Sequence, residues 1–499
     1  MTAGSTTIRW EHGEDGVVVL TLDDPSQSAN TMNDAYLASM GATLDRLEAE
    51  RDAIAGVIVT SAKKTFFAGG DLNDLLAVTP AELERFSGWL REAKGQLRRL
   101  ETLGRPVVAA INGTAFGGGL EIALATHHRV VVDDPRLRIG LPEVTLGLLP
   151  GGGGVVRTVR MLGVEAALVH VLLPGTAHRP ADALRLGLIN ELVDSQEQLL
   201  PAARAWIAGP GAAACAAVQP CDAPGCTAGA AACAAVQPWD APGYVLPGGT
   251  AWAPPVGWAV DGLPEALRLQ LLGGRFPAPR AIVAAAVEGA AAADFDAASE
   301  IEGRHFVDLV VGDTAKRMIQ AFFFDRQRLA SQARAKGHDP EAAAARRRAL
   351  GERLTQALRA EAATLRLAGV PAAAIERAAA LAGFTGPALT ALGDGGSAGA
   401  EPAALPADTA LTALGDGGSA GAELAALAPE TELSREQIEA RLLRRLADEA
   451  AAALQDGAAA TAEEANAASI DGAGYPGWTG GALRYREQMQ SARTAPYAR

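Results

Sequence analysis

Four runs of apolar and β-branched residues, Val17 to Leu22, Gly56 to Thr60, Pro106 to Ile111 and Arg129 to Val132, constrain the first 200 residues more than any other feature. Short runs of this kind read as buried strands. Between them Tyr36, Leu37, Met40, Leu44 and Leu47 recur at helical spacing. Thr79-Pro80-Ala81-Glu82 opens another helix, with a capping box and Pro at its first position. Strand and helix alternate, so the expectation for this part is an α/β core.

The chain has 499 residues, and at about 150 residues per domain that length implies two or three structural units. Composition is globular, 49% hydrophobic and 20% charged, but only 5% aromatic. From about Ala202 to Pro279 Gly, Pro and Ala dominate, and GAAACAAVQP occurs at 211–220 and again at 229–238. This stretch reads as linker or insertion. TALGDGGSAGAE starts at Thr390 and again at Thr412. Neither period recurs often enough for a solenoid, so both repeats are expected to be loops. Helical composition returns over 280–330, 342–384 and 433–455, and Ser434 to Gln437 gives the last segment a capping box.

A formal charge of -14 with pI near 5.1 disfavours a long nucleic-acid or anionic-membrane footprint, since both need clustered Lys and Arg. No apolar stretch reaches the roughly 18 residues of a membrane span, and MTAGSTTIRW lacks the layout of a signal peptide. A soluble, cytoplasmic protein is expected. Cys215, Cys221, Cys226 and Cys233 match neither paired zinc ligands nor a redox dithiol, so no metal site is assigned to them.

Three strand-to-loop junctions share one design: Phe66-Phe67-Ala68-Gly69-Gly70-Asp71-Leu72, then Asn112 through Gly117-Gly118-Gly119-Leu120-Glu121, then Leu141-Pro142-Glu143 leading to Pro150 and Gly151 to Gly154. Glycine leaves backbone amides uncovered, and a glycine turn feeding a helix suits an anion or a developing oxyanion. A lone glycine cluster is a weak signal and is more often a tight turn serving packing. Three in combination are a stronger one.

These segments resemble the crotonase superfamily, and within it the hydratase half of the multifunctional fatty-acid oxidation α subunit. TFFAGGDL is similar to the family's first oxyanion segment, INGTAFGGGLEIALA to its second, and RIGLPEVTLGLLPGGGG to its second-glutamate segment, all in family order. The resemblance implies a ββα superhelix of the ClpP type over 1–200, with the backbone amides of Gly70 and Gly118 on a thioester oxygen. It also implies Glu121 and Glu143 as catalytic acids, with Ala68, Gly69, Asp71 and Gly117 lining the substrate. From the residues alone Asp71 reads as a turn-fixing residue rather than a chemical one, and Lys63 and Lys64 as solvated lysines rather than phosphate ligands.

The implied activity is an enoyl-CoA hydratase of fatty-acid β-oxidation, a lyase that adds water to a trans-2-enoyl-CoA. A coenzyme A thioester is then the substrate, no cofactor is needed, and NAD is not expected. Glu121 helps hold and deprotonate the water while Glu143 delivers a proton to C2. Double-bond migration at the same site stays open, as do a non-redox assembly subunit docking a thiolase, and a bifunctional hydratase/dehydrogenase. An oligomer is expected.

Further resemblance to the α subunit lies in Trp239 to Tyr244, Pro279 to Gly289 and Ala315 to Asp325. The family's next unit is a dinucleotide-binding domain, but only twenty residues separate Asp325 from Arg346, fewer than the roughly 30 of one βαβ unit. The GxGxxG spacing at Gly472, Gly474 and Gly477 lacks a preceding strand and holds Pro476, so it is no nicotinamide fingerprint. Residues 346–384 and 434–489 instead look like two diverged copies of the helical C-terminal domain of 3-hydroxyacyl-CoA dehydrogenases. The expected organisation is therefore a hydratase-like domain over 1–200, an Ala/Gly/Pro-rich linker or insertion over 201–278 and a helical linker over 279–340. A mainly helical region over 341–489 follows, interrupted by a low-complexity loop at 385–432. His127, His128 and His305 are read as structural or surface residues.

Overall fold

β2 (Val17–Leu22) and β3 (Gly56–Ser61) are buried at every position, which requires cover on both faces. They pair in parallel over their whole length, from Val17 opposite Gly56 to Leu22 opposite Ser61. β5 (Val107–Ile111), β7 (His128–Val132) and β9 (Glu191–Val193) continue the parallel pairing, and β1 (Ile8–His12) closes the other edge antiparallel to β2. The four strands expected from sequence are β2, β3, β5 and β7. The computed structural model describes residues 6–213, 236–248, 271, 275–335, 340–392 and 433–494. All four cysteines and most of both repeats lie outside them.

A second, smaller sheet is what positions the glycine turns. β4 (Thr65–Phe67), β6 (Thr114–Phe116) and β8 (Ile139–Gly140) run parallel in the order β4, β6, β8. Thr65 lies opposite Thr114, Ala115 opposite Ile139 and Phe116 opposite Gly140. Parallel neighbours end on the same side, about 4.8 Å apart. Three segments remote in sequence thus emerge side by side: Ala68-Gly69-Gly70 after β4, Gly117-Gly118 after β6, and Leu141-Pro142-Glu143 after β8. Such two- and three-residue strands are too short for periodicity to reveal them.

Helices cover the sheets. α1 (Asp34–Ala49) buries Tyr36, Leu37, Met40, Leu44 and Leu47, all five positions read from spacing, and the Asn33 side chain caps it by accepting from the Tyr36 amide. α2 (Leu72–Ala77) follows the first glycine turn. The capping box of Thr79 and Glu82 opens a 3₁₀ turn, Pro80–Glu82, that runs into α3 (Leu83–Glu101). α4 (Gly118–Leu124) and α5 (Gly154–Leu162) follow the other two turns. α6 (Val164–Ala167) and α7 (Pro180–Arg185) lead to α8 (Gln196–Trp206). Val17, Val19, Ile58, Val108, Ala110, Val130 and Val132 share one sheet face, by strand alternation, and pack on Leu199 and Ala203 of α8.

Contacts divide the chain into two units. The described residues within 1–144, 148–252 and 281–311 form the first, and those within 145–147, 253–280 and 312–499 the second. The 279–340 stretch is therefore shared. Most of α9 (Pro277–Ala291) and all of α10 (Phe295–Val311) belong to the first unit, whereas Asp313–Ile319 and Arg326–Ala335 belong to the second. The described part of the second unit is helical and contains no strand. Its core joins Leu350, Leu354 and Leu358 of Pro340–Leu367 to Leu442, Leu443 and Leu446 of Arg435–Gln455. Gly474 sits at φ +65 with its Cβ position facing the Thr385 carbonyl, Tyr475 donates to the Leu443 carbonyl at 3.0 Å, and Trp478 donates to that of Ala382 at 2.7 Å. The GxGxxG spacing thus serves a packed loop.

Gly119 shows how closely the small sheet and α4 meet. A Cβ there would lie 2.5 Å from the Phe67 carbonyl oxygen and 2.8 Å from Phe67 Cβ. Gly119→Ala should therefore destabilise the chain by about 1–3 kcal/mol in urea titration; an unchanged midpoint would show that the two turns are not held by this contact.

Candidate active site

Asn30 organises the first turn. Its side chain is 3% exposed. Nδ2 donates to the Leu22 carbonyl, Ser61 Oγ and the Phe66 carbonyl, while Oδ1 accepts from the Asp24 amide at 2.9 Å. This ties the ends of β2, β3 and β4 together. The Ala68 amide donates to the Asn30 carbonyl at 2.9 Å. The Met32 amide then donates to the Gly69 carbonyl at 2.9 Å and the Asp71 amide to the Met32 carbonyl at 3.3 Å. In a parallel bridge of this kind the residue between the two bonds, Gly70, turns its own N–H away from the partner segment. Asp71 caps α2, accepting from the Asn73 amide at 2.9 Å, so it is a turn-fixing residue.

The second turn lies against the first. Gly117 adopts φ 51 and ψ -121, a conformation open to glycine, and its amide donates to the Gly140 carbonyl at 3.1 Å. Its carbonyl accepts the first helical bond of α4 from the Glu121 amide, which leaves the Gly118 N–H at the orphan first position of the helix. A Cβ on Gly118 would stand 3.5 Å from Gly69 Cα, and one on Gly69 would stand 3.7 Å from the Gly118 nitrogen. Gly70 and Gly118 are thus brought to one place by two adjoining strands. Ala68 and Gly70 are exposed, while Gly69, Gly117 and Gly118 are buried.

Two carboxylates stand beside these turns. Glu121, 4% exposed, lies one helical turn beyond Gly118, and its Oε1 accepts from the amides of Gly152 at 2.7 Å and Gly154 at 2.8 Å. Glu143 follows β8, and its Oε1 sits 2.7 Å from where a Gly117 Cβ would be. Glu143 is half-buried as a residue, but its Oε2 is shut off from solvent and takes no hydrogen bond among the described residues. A buried carboxyl oxygen without a partner is rare in folded proteins and points to a ligand.

Their electrostatics separate them. Burial and, after it, repulsion from Glu302 raise the Glu121 carboxyl, the Gly154 and Gly152 amides and Lys94 work against both, and the balance leaves it at about 7. Burial pushes Glu143 well above the usual carboxylate range, with repulsion from Glu121 adding to it and no side-chain donor opposing it. Near neutrality Glu143 is therefore the acid of the pair and Glu121 the group able to hold a negative charge.

Sequence reasoning missed Glu302, Lys94, Glu101 and Arg157. Glu302 on α10 is fully buried and accepts from Lys94 Nζ at 2.8 Å and from the amides of Gly153 at 2.7 Å and Val156 at 3.0 Å. Arg157, 1% exposed, pairs with Glu101 through two bonds of 3.1 and 3.0 Å and donates to the Gly152 carbonyl. Arg98 links Glu101 to Asp240. Glu302 lies about 150 residues from the turn it grips, a separation across which no sequence spacing carries a signal. The glycine tract 151–154 marked that turn in the sequence, and its glycines let Glu121, Arg157 and Phe306 approach closely, but nothing in it named Glu302 as a partner.

Lys63 is not free for a phosphate: its Nζ pairs with Asp23 at 2.9 Å, and only Lys64 is exposed. His127 Nδ1 accepts from the Val107 amide, His128 stacks on Trp206 and reaches Glu191 at 3.1 Å, and His305 reaches Glu288 at 3.5 Å. These are structural contacts.

The enoyl-CoA hydratase/isomerase family profile matches residues 12–219. A fatty acid oxidation complex subunit alpha of Idiomarina loihiensis is 42% identical over 182 residues, 36% of this chain and 25% of that protein. One of Shewanella sp. strain MR-4 is 39% identical over 198 residues, 39% of this chain and 27% of its own length. The chain thus spans about a quarter of the curated relatives it matches. Among solved structures, an enoyl-CoA hydratase of Bacillus anthracis is 29% identical, covering 41% of this chain and 77% of that one, with a TM-score of 0.37.

The raised Glu121 carboxyl has a consequence for stability. Its folded value lies above the ordinary 4.5, so the stability it contributes is present below that ordinary value and is lost as pH rises toward about 7. From acid to mildly alkaline pH, Glu121→Gln should gain on the order of 2–3 kcal/mol over the unaltered chain in denaturant titrations. Parallel curves would show that Glu121 carries no such shift.

Proposed function

We propose, from the match of residues 12–219 to the enoyl-CoA hydratase/isomerase family profile, that this chain is an enoyl-CoA hydratase of fatty-acid β-oxidation. The observation that carries the proposal is the meeting of two glycine turns with two carboxyl groups of unequal proton affinity, Glu121 and Glu143.

In the proposed reaction the thioester oxygen of a trans-2-enoyl-CoA accepts from the Gly70 and Gly118 amides. Ala68, Gly69 and Gly117 shape the wall beside it. The Glu121 carboxylate takes a proton from water as its oxygen bonds to C3. The C2–C3 π pair moves toward C1 and builds negative charge on the thioester oxygen, where two preorganised amides stabilise it most. C2 then takes the Glu143 proton as the carbonyl reforms, giving a 3-hydroxyacyl-CoA. One proton has left Glu143 and one has arrived on Glu121, and its return through the shared site resets the pair. Atoms balance with water and thioester alone, so the proposal calls for neither metal nor redox cofactor.

A cytoplasmic location goes with this proposal. Among the described residues no helix is long and apolar enough to cross a membrane. Docking of a thiolase subunit by the helical unit is a further part of it, tested by co-purification of the two chains.

Added to crotonoyl-CoA, the chain should abolish the conjugated-enone absorbance. Glu143→Gln should slow this by roughly 10²–10⁴-fold with the fold intact by circular dichroism. A Glu143→Gln chain as fast as the unaltered one would overturn the assigned roles, and an inactive unaltered chain would overturn the activity.

A further inference from the structure

The turn 151–154 is held by two carboxylates, and the reaction as proposed uses only one. Glu121 takes the Gly152 and Gly154 amides, whereas Glu302 takes Gly153 between them and Val156 beyond. Both therefore sit at the N-terminus of the nine-residue helix α5, where the dipole favours negative charge. Glu302 comes from outside the strand-and-turn repeats, on α10, with a side chain 0% exposed. Lys94 Nζ, on α3, anchors it and also donates to the Ser299 carbonyl at 2.6 Å.

A buried carboxylate that merely capped α5 would need no particular relation to Glu121. Here alternate amides of one turn go to the two groups, so a shift of Glu302 displaces the donors that orient Glu121. We propose that Glu302 is a positioning residue for the hydration step, fixing the 151–154 turn, with Lys94 as its anchor, so that the Gly152 and Gly154 amides hold Glu121 against the reacting water. This inference rests on the hydratase activity proposed above.

The charged groups facing this cluster come from every element packed there. Glu143 follows β8, Lys94, Arg98 and Glu101 lie on α3, and Arg157 lies on α5. Arg157 and Glu101 pair with each other, Arg98 pairs with Glu101 and Asp240, and Lys94 pairs with Glu302. The negative charge of Glu302 acts on both Glu121 and Glu143, raising the proton affinity of each. Glu302→Gln removes that charge and the Lys94 pair while keeping the side chain's size. Glu302→Asp keeps the charge and shortens the reach.

The test is the pH dependence of crotonoyl-CoA hydration by the 499-residue chain and these two variants, with thermal unfolding measured in parallel. For Glu302→Gln, kcat should fall on the order of tenfold to a hundredfold with KM little changed. Both limbs of its profile should move to lower pH, by about half a unit or more. For Glu302→Asp, kcat should fall while both limbs stay in place. A Glu302→Gln chain that unfolds earlier but keeps the unaltered kcat and pH profile would reduce Glu302 to a helix cap and overturn the inference. If Glu302→Gln does not fold, Glu302→Asp decides alone, and an undiminished kcat overturns the inference. An unaltered chain that does not hydrate crotonoyl-CoA defeats the proposed activity instead, and the inference with it.

Discussion

Two buried carboxylates share the amides of a single glycine turn, and the site depends on that division. A charged carboxyl removed from water is costly unless donors replace the lost hydration. Glu121 finds them in Gly152 and Gly154, and Glu302 finds them in Gly153, Val156 and Lys94. Side chains on the turn would fill the space these groups occupy: a Cβ on Gly152 would lie 2.6 Å from Glu121 Oε2. The glycine tract is therefore a packing requirement of the acids beside it. Arg157 secures the turn from behind through its pair with Glu101 and its bond to the Gly152 carbonyl.

The same arrangement separates Glu121 from Glu143, the two acids of the proposed reaction. Glu121 is burdened by burial and by Glu302, yet relieved by two amides and a lysine. Glu143 is burdened by burial and by both other carboxyl groups, and its Oε2 has no partner among the described residues. Unequal hydration by the protein, rather than unequal chemistry, makes one a base and the other an acid in the proposed reaction. The electrostatic cost is tolerable because it falls where a positive helix end and Lys94 are already in place.

Much of this was legible in the residues. β2, β3, β5 and β7 are five- or six-residue runs rich in Val, Ile and other apolar residues, and α1 buries its five periodic positions, so composition and helix periodicity found them. The three glycine junctions were legible as motifs, but nothing in composition says that they converge. Convergence depends on β4, β6 and β8, which have two or three residues each and hence no measurable period. Glu302 was hidden for another reason. It sits in a helix of ordinary amphipathic pattern that reads as linker, and only the packing of α10 against α3 and α5 brings its carboxyl under the turn. Asn30 was hidden likewise, a lone polar residue whose bonds to three strand ends arise only once those strands are assembled.

The most direct measurement is a crystal structure of the chain with acetoacetyl-CoA, an unreactive relative of the proposed substrate. The thioester oxygen should lie about 2.7–3.1 Å from both the Gly70 and Gly118 nitrogens, with the Glu121 and Glu143 carboxyl groups on one side of the acyl chain beside C2 and C3. A thioester seated away from those amides, or carboxyl groups on opposite sides of it, would contradict the proposed chemistry.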